Sequence, residues 1–410
     1  MKKEQLTDII SEVSPTLCLA KFHDATIWLY NNRTAGCHHT PMVTLGTTPV
    51  TFYTPDEKRV QQKIMIEGGK PVGCSYCWNH EANNVESDRY KKSADYRTHC
   101  APEDYLNPDF NFKPKTLELA FQNVCNLACS YCNSAYSNTW ANDIKTHGNY
   151  EGLTSKHYQV SSQFDPSNMN LFWEWFETIV DSLETLRLTG GEPLLHEETF
   201  SMIEKMQKIN SNIKFIIATN LCQKPLVIQR FVDFIGCIKG PRKVRINISN
   251  ESAGPVAEFI RDGMVYKEWL ENVRLLSETN TEVCISTTIT AISLISMDQL
   301  YRDVIAQRVH TKVKPPIGIN FCSFPEFQSI QCLTREEREF YHNKYTQFYK
   351  EIYDDLLPIE QGSIERVLTM LHPDLTHPQQ AEYRKDSDLF FEQYCRRRNK
   401  AINFAELIGT

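Results

Sequence analysis

From Thr116 onward the chain alternates six short β-branched runs with longer stretches of helical periodicity, and this alternation constrains the fold more than any other feature. The runs are Thr116–Gln122 (TLELAFQ), Thr185–Thr189 (TLRLT), Ile213–Thr219 (IKFIIAT), Val244–Ser249 (VRINIS), Glu282–Thr290 (EVCISTTIT) and Ile317–Phe321 (IGINF). Helices are expected between them. In Asn168–Leu183 the apolar Leu171, Phe172, Trp175, Phe176, Ile179, Val180 and Leu183 recur at helical spacing, and other helical stretches fall near 196–209, 224–236, 265–279 and 294–306. Six β-α units in a row imply a parallel α/β sheet with right-handed crossovers, doubly wound or curled into a partial barrel. Either way the active site belongs at the carboxyl ends of the strands.

The flanking segments read differently. Residues 1–113 hold a hairpin pattern, Ala25–Tyr30 and Thr34–Cys37 about a turn at Asn31-Asn32, then loops with Pro41, Pro49, Pro55 and Pro71. Residues 326–410 turn helical, at Arg335–Leu356 and Ile364–Leu371, and close with Asn403–Ile408. Three parts follow: a cysteine-rich metal module at 1–113, the α/β part at 114–325 and a helical extension at 326–410.

Composition bounds the function. A net charge of -7 disfavours nucleic acid as a partner. Residues 1–20 carry Asp8, Glu12 and Pro15 where a signal peptide needs an apolar core, and no stretch nears the roughly 18 apolar residues of a membrane span, so a cytoplasmic location is expected. There, 14 cysteines do not read as a disulfide framework, which directs attention to metal ligation.

Cys125-Asn-Leu-Ala-Cys129-Ser-Tyr-Cys132 follows the first strand. Three thiolates so spaced can hold three irons of a four-iron cubane and leave the fourth open, whereas a structural site is closed by four protein ligands. An open iron invites a chelating small molecule. The second strand ends in Leu188-Thr189-Gly190-Gly191-Glu192-Pro193, where the backbone is expected to pass close to a ligand and only Gly avoids a side-chain clash. Phosphate-loop, dinucleotide and nucleophile-elbow motifs are absent from the sequence, and His196-Glu197 and His80-Glu81 lack the second His of a zinc-protease helix.

On the C-x3-C-x2-C triplet and the Gly-Gly-Glu-Pro segment the chain resembles the radical S-adenosylmethionine superfamily over about 116–325. The resemblance implies a partial (βα)6 barrel and an enzyme. It implies a four-iron, four-sulfur cluster on Cys125, Cys129 and Cys132, whose open iron binds S-adenosylmethionine. Glu192 with the Gly190–Gly191 backbone would take the methionine amino group, and Tyr131 would shield the cluster and meet adenine. Thr219, Asn220, Asn247 and Ser249 would face ribose and carboxylate. The implied chemistry is one-electron cleavage of the cofactor to a 5′-deoxyadenosyl radical that abstracts a substrate hydrogen, fed by a reductant such as flavodoxin or ferredoxin.

A second cysteine set lies upstream: Cys37 with His38-His39, then Cys74-Ser-Tyr-Cys77, with Cys18 as a fourth ligand and Cys100 as its competitor. Spacing alone favours zinc, as Cys3His or Cys2His2. The resemblance tilts the reading toward an auxiliary iron–sulfur cluster of the SPASM or twitch kind, although such modules ordinarily follow the barrel. That kinship makes a peptide or protein the expected substrate, ahead of a sugar, nucleotide or other small metabolite. A non-catalytic zinc-binding scaffold is the reading from another class. Arg396-Arg397-Arg398 with Lys400 is expected to be a solvated face or a helix-end partner.

Overall fold

The computed structural model describes residues 12–83, 86–96, 98–107, 112–159, 168–209, 212–238 and 244–400. Its main strands are β1 Asp24–Trp28, β2 Arg33–Ala35, β3 Val43–Thr44, β4 Thr116–Ala120, β5 Thr185–Thr189, β6 Lys214–Thr219, β7 Val244–Ser249, β8 Glu282–Ile289 and β9 Ile317–Phe321. The last six fall where the β-branched runs predict them. Helices follow at Met169–Ile179, Glu197–Lys208, Pro225–Gly236, Tyr266–Ser277 and Met297–Gln307, matching the periodicity to within a turn. The fold is the mixed α/β class of a partial (βα)6 barrel.

Contacts group the chain into two compact units. These differ in kind from the sequence division at 113 and 325, which rests on texture and motif. The first unit is Met1–Gln122 with Gln163–Thr189 and Ser211–Phe215. In it β1 pairs in parallel with β4, and β4 with β5, while β2 and β3 continue from β1 as antiparallel neighbours. The expected hairpin is present, with a 3-10 turn at Leu29–Asn31 and Asn32 at φ 56°. The helix Met169–Ile179 buries Phe172, Trp175, Phe176 and Ile179, and Trp175 meets Phe52 at 5.3 Å between ring centres. Helices that periodicity did not predict lie upstream, at Ala20–His23, Asp56–Ile66, Ser75–Ala82, Asp88–Tyr96 and Pro102–Leu106.

The second unit is Asn123–Ser162 with Gly190–Asn210 and Ile216–Thr410. Its β7, β8 and β9 run parallel, with Ser249 opposite Ser286 and Ile289 opposite Phe321. A buried aromatic cluster of Trp140, Tyr150, Tyr158, Phe259, Phe327, Phe390 and Tyr394 joins the segment after the cysteine triplet to the unanticipated C-terminal helix Gln380–Arg397. Two further helices, Arg335–Ile352 and Pro358–Leu371, precede it. The Arg396 to Lys400 run is a helix-end partner: Arg397 and Arg398 pair with Asp143, and Lys400 with Asp262. The run at Asn403–Ile408 lies outside the described residues. No helix among them is long and apolar enough to cross a membrane.

Candidate functional site

The cysteine triplet is held by its backbone, which leaves the sulfurs to be used. The helix Asn138–His147 supplies three of the ties. Asn138 Oδ1 accepts from the Cys125 amide at 2.9 Å, Thr139 Oγ1 donates to the Cys125 carbonyl at 2.5 Å, and Trp140 Nε1 donates to the Cys129 carbonyl at 2.9 Å. Ala128–Cys129 also pairs as a short antiparallel strand with Arg261–Asp262. Tyr394 Oη donates to the Ala128 carbonyl at 3.1 Å, and Gln328 Nε2 donates to the Ser130 carbonyl at 2.8 Å. Between Cys129 and Cys132 the chain closes a turn, the Cys132 amide donating to the Cys129 carbonyl at 2.9 Å.

The glycine pair packs against the triplet's entrance. Gly190 has φ 88°, and a Cβ on Gly191 would stand 2.2 Å from the Val124 carbonyl oxygen. The close approach is thus to the chain's own backbone just before Cys125, and the Glu192 amide donates to that same oxygen at 2.7 Å. Glu192 is buried. Its Oε1 accepts from the Leu194 amide at 3.0 Å and from Thr219 Oγ1 at 2.7 Å, and its Oε2 from the Asn220 amide at 2.6 Å. Burial lifts its carboxyl to about pH 7 against the pull of those three donors.

Two donors point at the cysteine sulfurs: Asn220 Nδ2 at 3.9 Å from Cys125, and Arg261 Nη1 at 3.6 Å from Cys129. Arg261 also grips Glu251, Nε to Oε2 at 2.7 Å and Nη2 to Oε1 at 2.5 Å, and its Nη2 donates to Tyr131 Oη at 2.7 Å. Tyr131 Oη in turn donates to Glu251 Oε1 at 2.6 Å. The Tyr131 hydroxyl is therefore fixed by a buried ion pair. Asn247 accepts from Arg245 Nε at 2.9 Å, and Ser249 leads into Asn250, whose buried Nδ2 finds no acceptor among the described residues.

These residues fit the implied cluster and cofactor by the chemistry of the donor set. Three thiols share one pinned loop, N–H donors face two of them, and an orphaned buried amide ends the adjoining strand. Burial pushes the Cys132 thiol up to about 12 and the other two upward, so taking up iron must displace protons from them. Sequence reading missed Glu251 and Arg261. Glu251 stands beside the Ser249-Asn250 strand end and could have been weighed with it. Arg261 offered no signal, because its partners lie 10 and 130 positions away.

In the first unit Cys18, Cys37, Cys74 and Cys77 line one cavity, with Lys21, His39, Asp88, Arg89 and Lys92 also on its wall. Cys74 ends the 3-10 turn Val72–Cys74 that leads into the helix Ser75–Ala82, and that helix carries Cys77. Glu81, Ser87 and Arg89 form a hydrogen-bonded group beside it, the Arg89–Glu81 pair at 2.8 Å. Burial pushes Cys18 up to about 12 and also raises Cys74 and Cys77. His39 stacks on Tyr76 and bonds Asp88 at 2.7 Å, while His38 faces Glu118 at 3.6 Å. Cys100 is absent from that wall and packs beside Tyr105. Of the cysteines expected in core patterns, Cys284 is buried, Cys222 half-buried and Cys237 exposed, since Cys237 caps a surface helix. Among the described residues no three His, Cys, Asp or Glu side chains stand close enough together to hold a single metal ion.

Residues 119–303 match the Radical SAM superfamily. No curated protein matches the chain. Among solved structures, anSMEcpe with bound AdoMet aligns at TM-score 0.38 and 14% identity, over 58% of this chain and 60% of that one. Streptococcus suis SuiB bound to S-adenosylmethionine aligns at TM-score 0.41 and 12% identity, over 80% and 69%. SuiB bound to precursor peptide SuiA gives 0.39, 11%, 80% and 68%. The chain thus spans less than two thirds of the anSMEcpe chain.

Proposed function

We propose that this chain, whose residues 119–303 match the Radical SAM superfamily, is an enzyme of that kind that cleaves S-adenosylmethionine reductively and abstracts hydrogen from a C–H bond of a peptide or protein. When bound, the cluster and S-adenosylmethionine supply the electron transfer and the carbon-centred radical. Cys125, Cys129 and Cys132 would hold the cluster. Glu192 would face the cofactor's amino group, Gly190–Gly191 would set the distance of that segment from the cysteine loop, and Tyr131 would stand at the cluster's edge.

The chain's own contribution is order. Asn138, Thr139, Trp140, Gln328 and Tyr394 fix the loop backbone before any metal arrives, so little conformational entropy is left to lose on cluster binding. The observation that carries the reading is the pinned C-x3-C-x2-C loop closed against Gly191.

The four-thiol cavity supports an auxiliary centre, iron–sulfur or zinc, on Cys37, Cys74 and Cys77 with Cys18 as fourth ligand. An auxiliary centre is also what favours a peptide or protein over a small metabolite. A low-potential reductant such as flavodoxin or ferredoxin completes the proposal. Incubating the anaerobically reconstituted chain with dithionite and S-adenosylmethionine tests it: 5′-deoxyadenosine is expected, and none after full cluster loading would overturn it. Deuterium transfer from a labelled peptide pool into that product would identify the substrate class.

A further inference from the structure

We infer that Lys21 and Lys58 are built in to balance the charge of a doubly negative tetrathiolate centre in the Cys18/Cys37/Cys74/Cys77 cavity. The inference rests on the auxiliary-centre reading. Four basic side chains lie on or behind that cavity's wall. Lys21, Arg89 and Lys92 are on its wall, and Lys58 lies behind Gly36, the residue before Cys37. A Cβ at Gly36 would meet Lys21 Cδ at 3.1 Å and Lys58 Cε at 3.4 Å, so both lysine stems close on the same point of the chain.

The neighbouring carboxylates are already committed. Arg89 has Glu81 at 2.8 Å, and Lys92 has Asp24 Oδ2 at 3.0 Å. The other Asp24 oxygen is taken by the Tyr96 hydroxyl. Asp88 holds His39 at 2.7 Å and has Lys91 at 3.9 Å. Lys21 and Lys58 are left with no carboxylate partner among the described residues. The Lys21 ammonium donates to Gln61 Oε1, and Lys58 Nζ sits 3.2 Å over the Tyr53 ring and 3.5 Å from the Asp24 carbonyl. Both side chains are buried, at 3% and 2% exposure.

A buried ammonium without a counter-ion is costly: burial lowers the Lys58 amine well below the usual lysine range, and an anion at this place favours its charged form. Four thiolates around a doubly positive metal ion or iron–sulfur core leave two negative charges, equal and opposite to the two lysines. The anion arrives with the metal, because metal binding is what deprotonates the thiols. The wall thus matches its centre in charge as well as in donor type.

The test uses the full chain with Cys125, Cys129 and Cys132 replaced by Ala, so that bound metal reports on the cavity. Zinc(II) in one arm, and iron with sulfide in another, are supplied anaerobically and competed with a chelator. Lys21→Met and Lys58→Met should each weaken metal retention about ten- to hundred-fold, the usual size of an outer-shell effect. In the metal-free chain the same changes should leave the unfolding midpoint unchanged or raise it, since a buried amine without a counter-ion is removed. Gln61→Glu keeps Lys21 and gives it a carboxylate; it should weaken metal retention in the same direction. Lysine variants that lower stability alike with and without metal, and leave retention unchanged, overturn the inference. If the chain takes up no metal, or takes it up equally after Cys37→Ser and Cys74→Ser, the tetrathiolate reading fails and this inference with it. Metal that needs those cysteines but ignores the lysines sinks the inference alone.

Discussion

Gly191 and Val124 approach so closely that a single added methyl group on Gly191 would stand 2.2 Å from the Val124 carbonyl oxygen. That oxygen precedes Cys125 by one peptide unit, so the glycine segment and the cysteine loop set each other's position. Gly191→Ala must displace backbone, which costs roughly 1–3 kcal/mol or more in a packed interior. The expected outcome is a lower unfolding midpoint together with loss of iron from the Cys125 site. Gly236→Ala is the control, having no atom within 4 Å of the added Cβ, and should neither lower the midpoint nor lose iron.

Glu192→Gln should weaken S-adenosylmethionine binding while iron content stays intact. The Gln amide would also set an NH2 group against the Asn220 amide or Thr219 hydroxyl, leaving a buried donor unpaired at about 1–3 kcal/mol. Equilibrium dialysis and iron analysis on one preparation read both effects. Loss of iron instead would make Glu192 a structural residue of the loop.

Arg261→Met removes one half of a buried ion pair and leaves the Glu251 carboxylate with Tyr131 as its remaining partner among the described residues. Breaking such a pair costs roughly 3–5 kcal/mol, visible in chemical denaturation. Tyr131→Phe removes one hydroxyl from the same network and should cost only about 1 kcal/mol.

His23 predicts an acid limb in stability. It is buried and bonded to Tyr105 at 2.8 Å, and burial, with His99 and Lys115 nearby, lowers its pKa to about 4. An unfolded histidine titrates near about 6.5, so the folded state holds fewer protons than the unfolded one between those values. The contribution is fully present above about 6.5 and is lost as pH falls through 4, to a total on the order of 3 kcal/mol. His23→Phe should flatten the dependence of unfolding free energy on pH across that window; an unchanged slope would contradict the assignment.

The strands from Thr116 to Phe321 were legible because each is a β-branched run bounded by turns, and the helices after them because one face is buried at regular spacing. The same rule failed upstream. Asp56–Ile66 and Asp88–Tyr96 bury charged side chains such as Lys58 and Arg89, so their inward faces carry no apolar stripe to read. Gln380–Arg397 was missed for a similar reason, since Asp386, Ser387 and Gln393 share its buried side with Phe390, Phe391 and Tyr394. At the site, residues adjacent in sequence, such as Cys129 and Tyr131, could be found by spacing. Arg261 and Gln328 reach the same loop through tertiary contact alone, which no local pattern encodes.

The central claim is that Cys125, Cys129 and Cys132 support radical cleavage of S-adenosylmethionine, and the direct measurement is 5′-deoxyadenosine made by the chain with all three replaced by Ala. After anaerobic reconstitution and reduction, the unaltered chain should produce it and the triple variant should produce none. Continued 5′-deoxyadenosine formation by the triple variant would contradict the account.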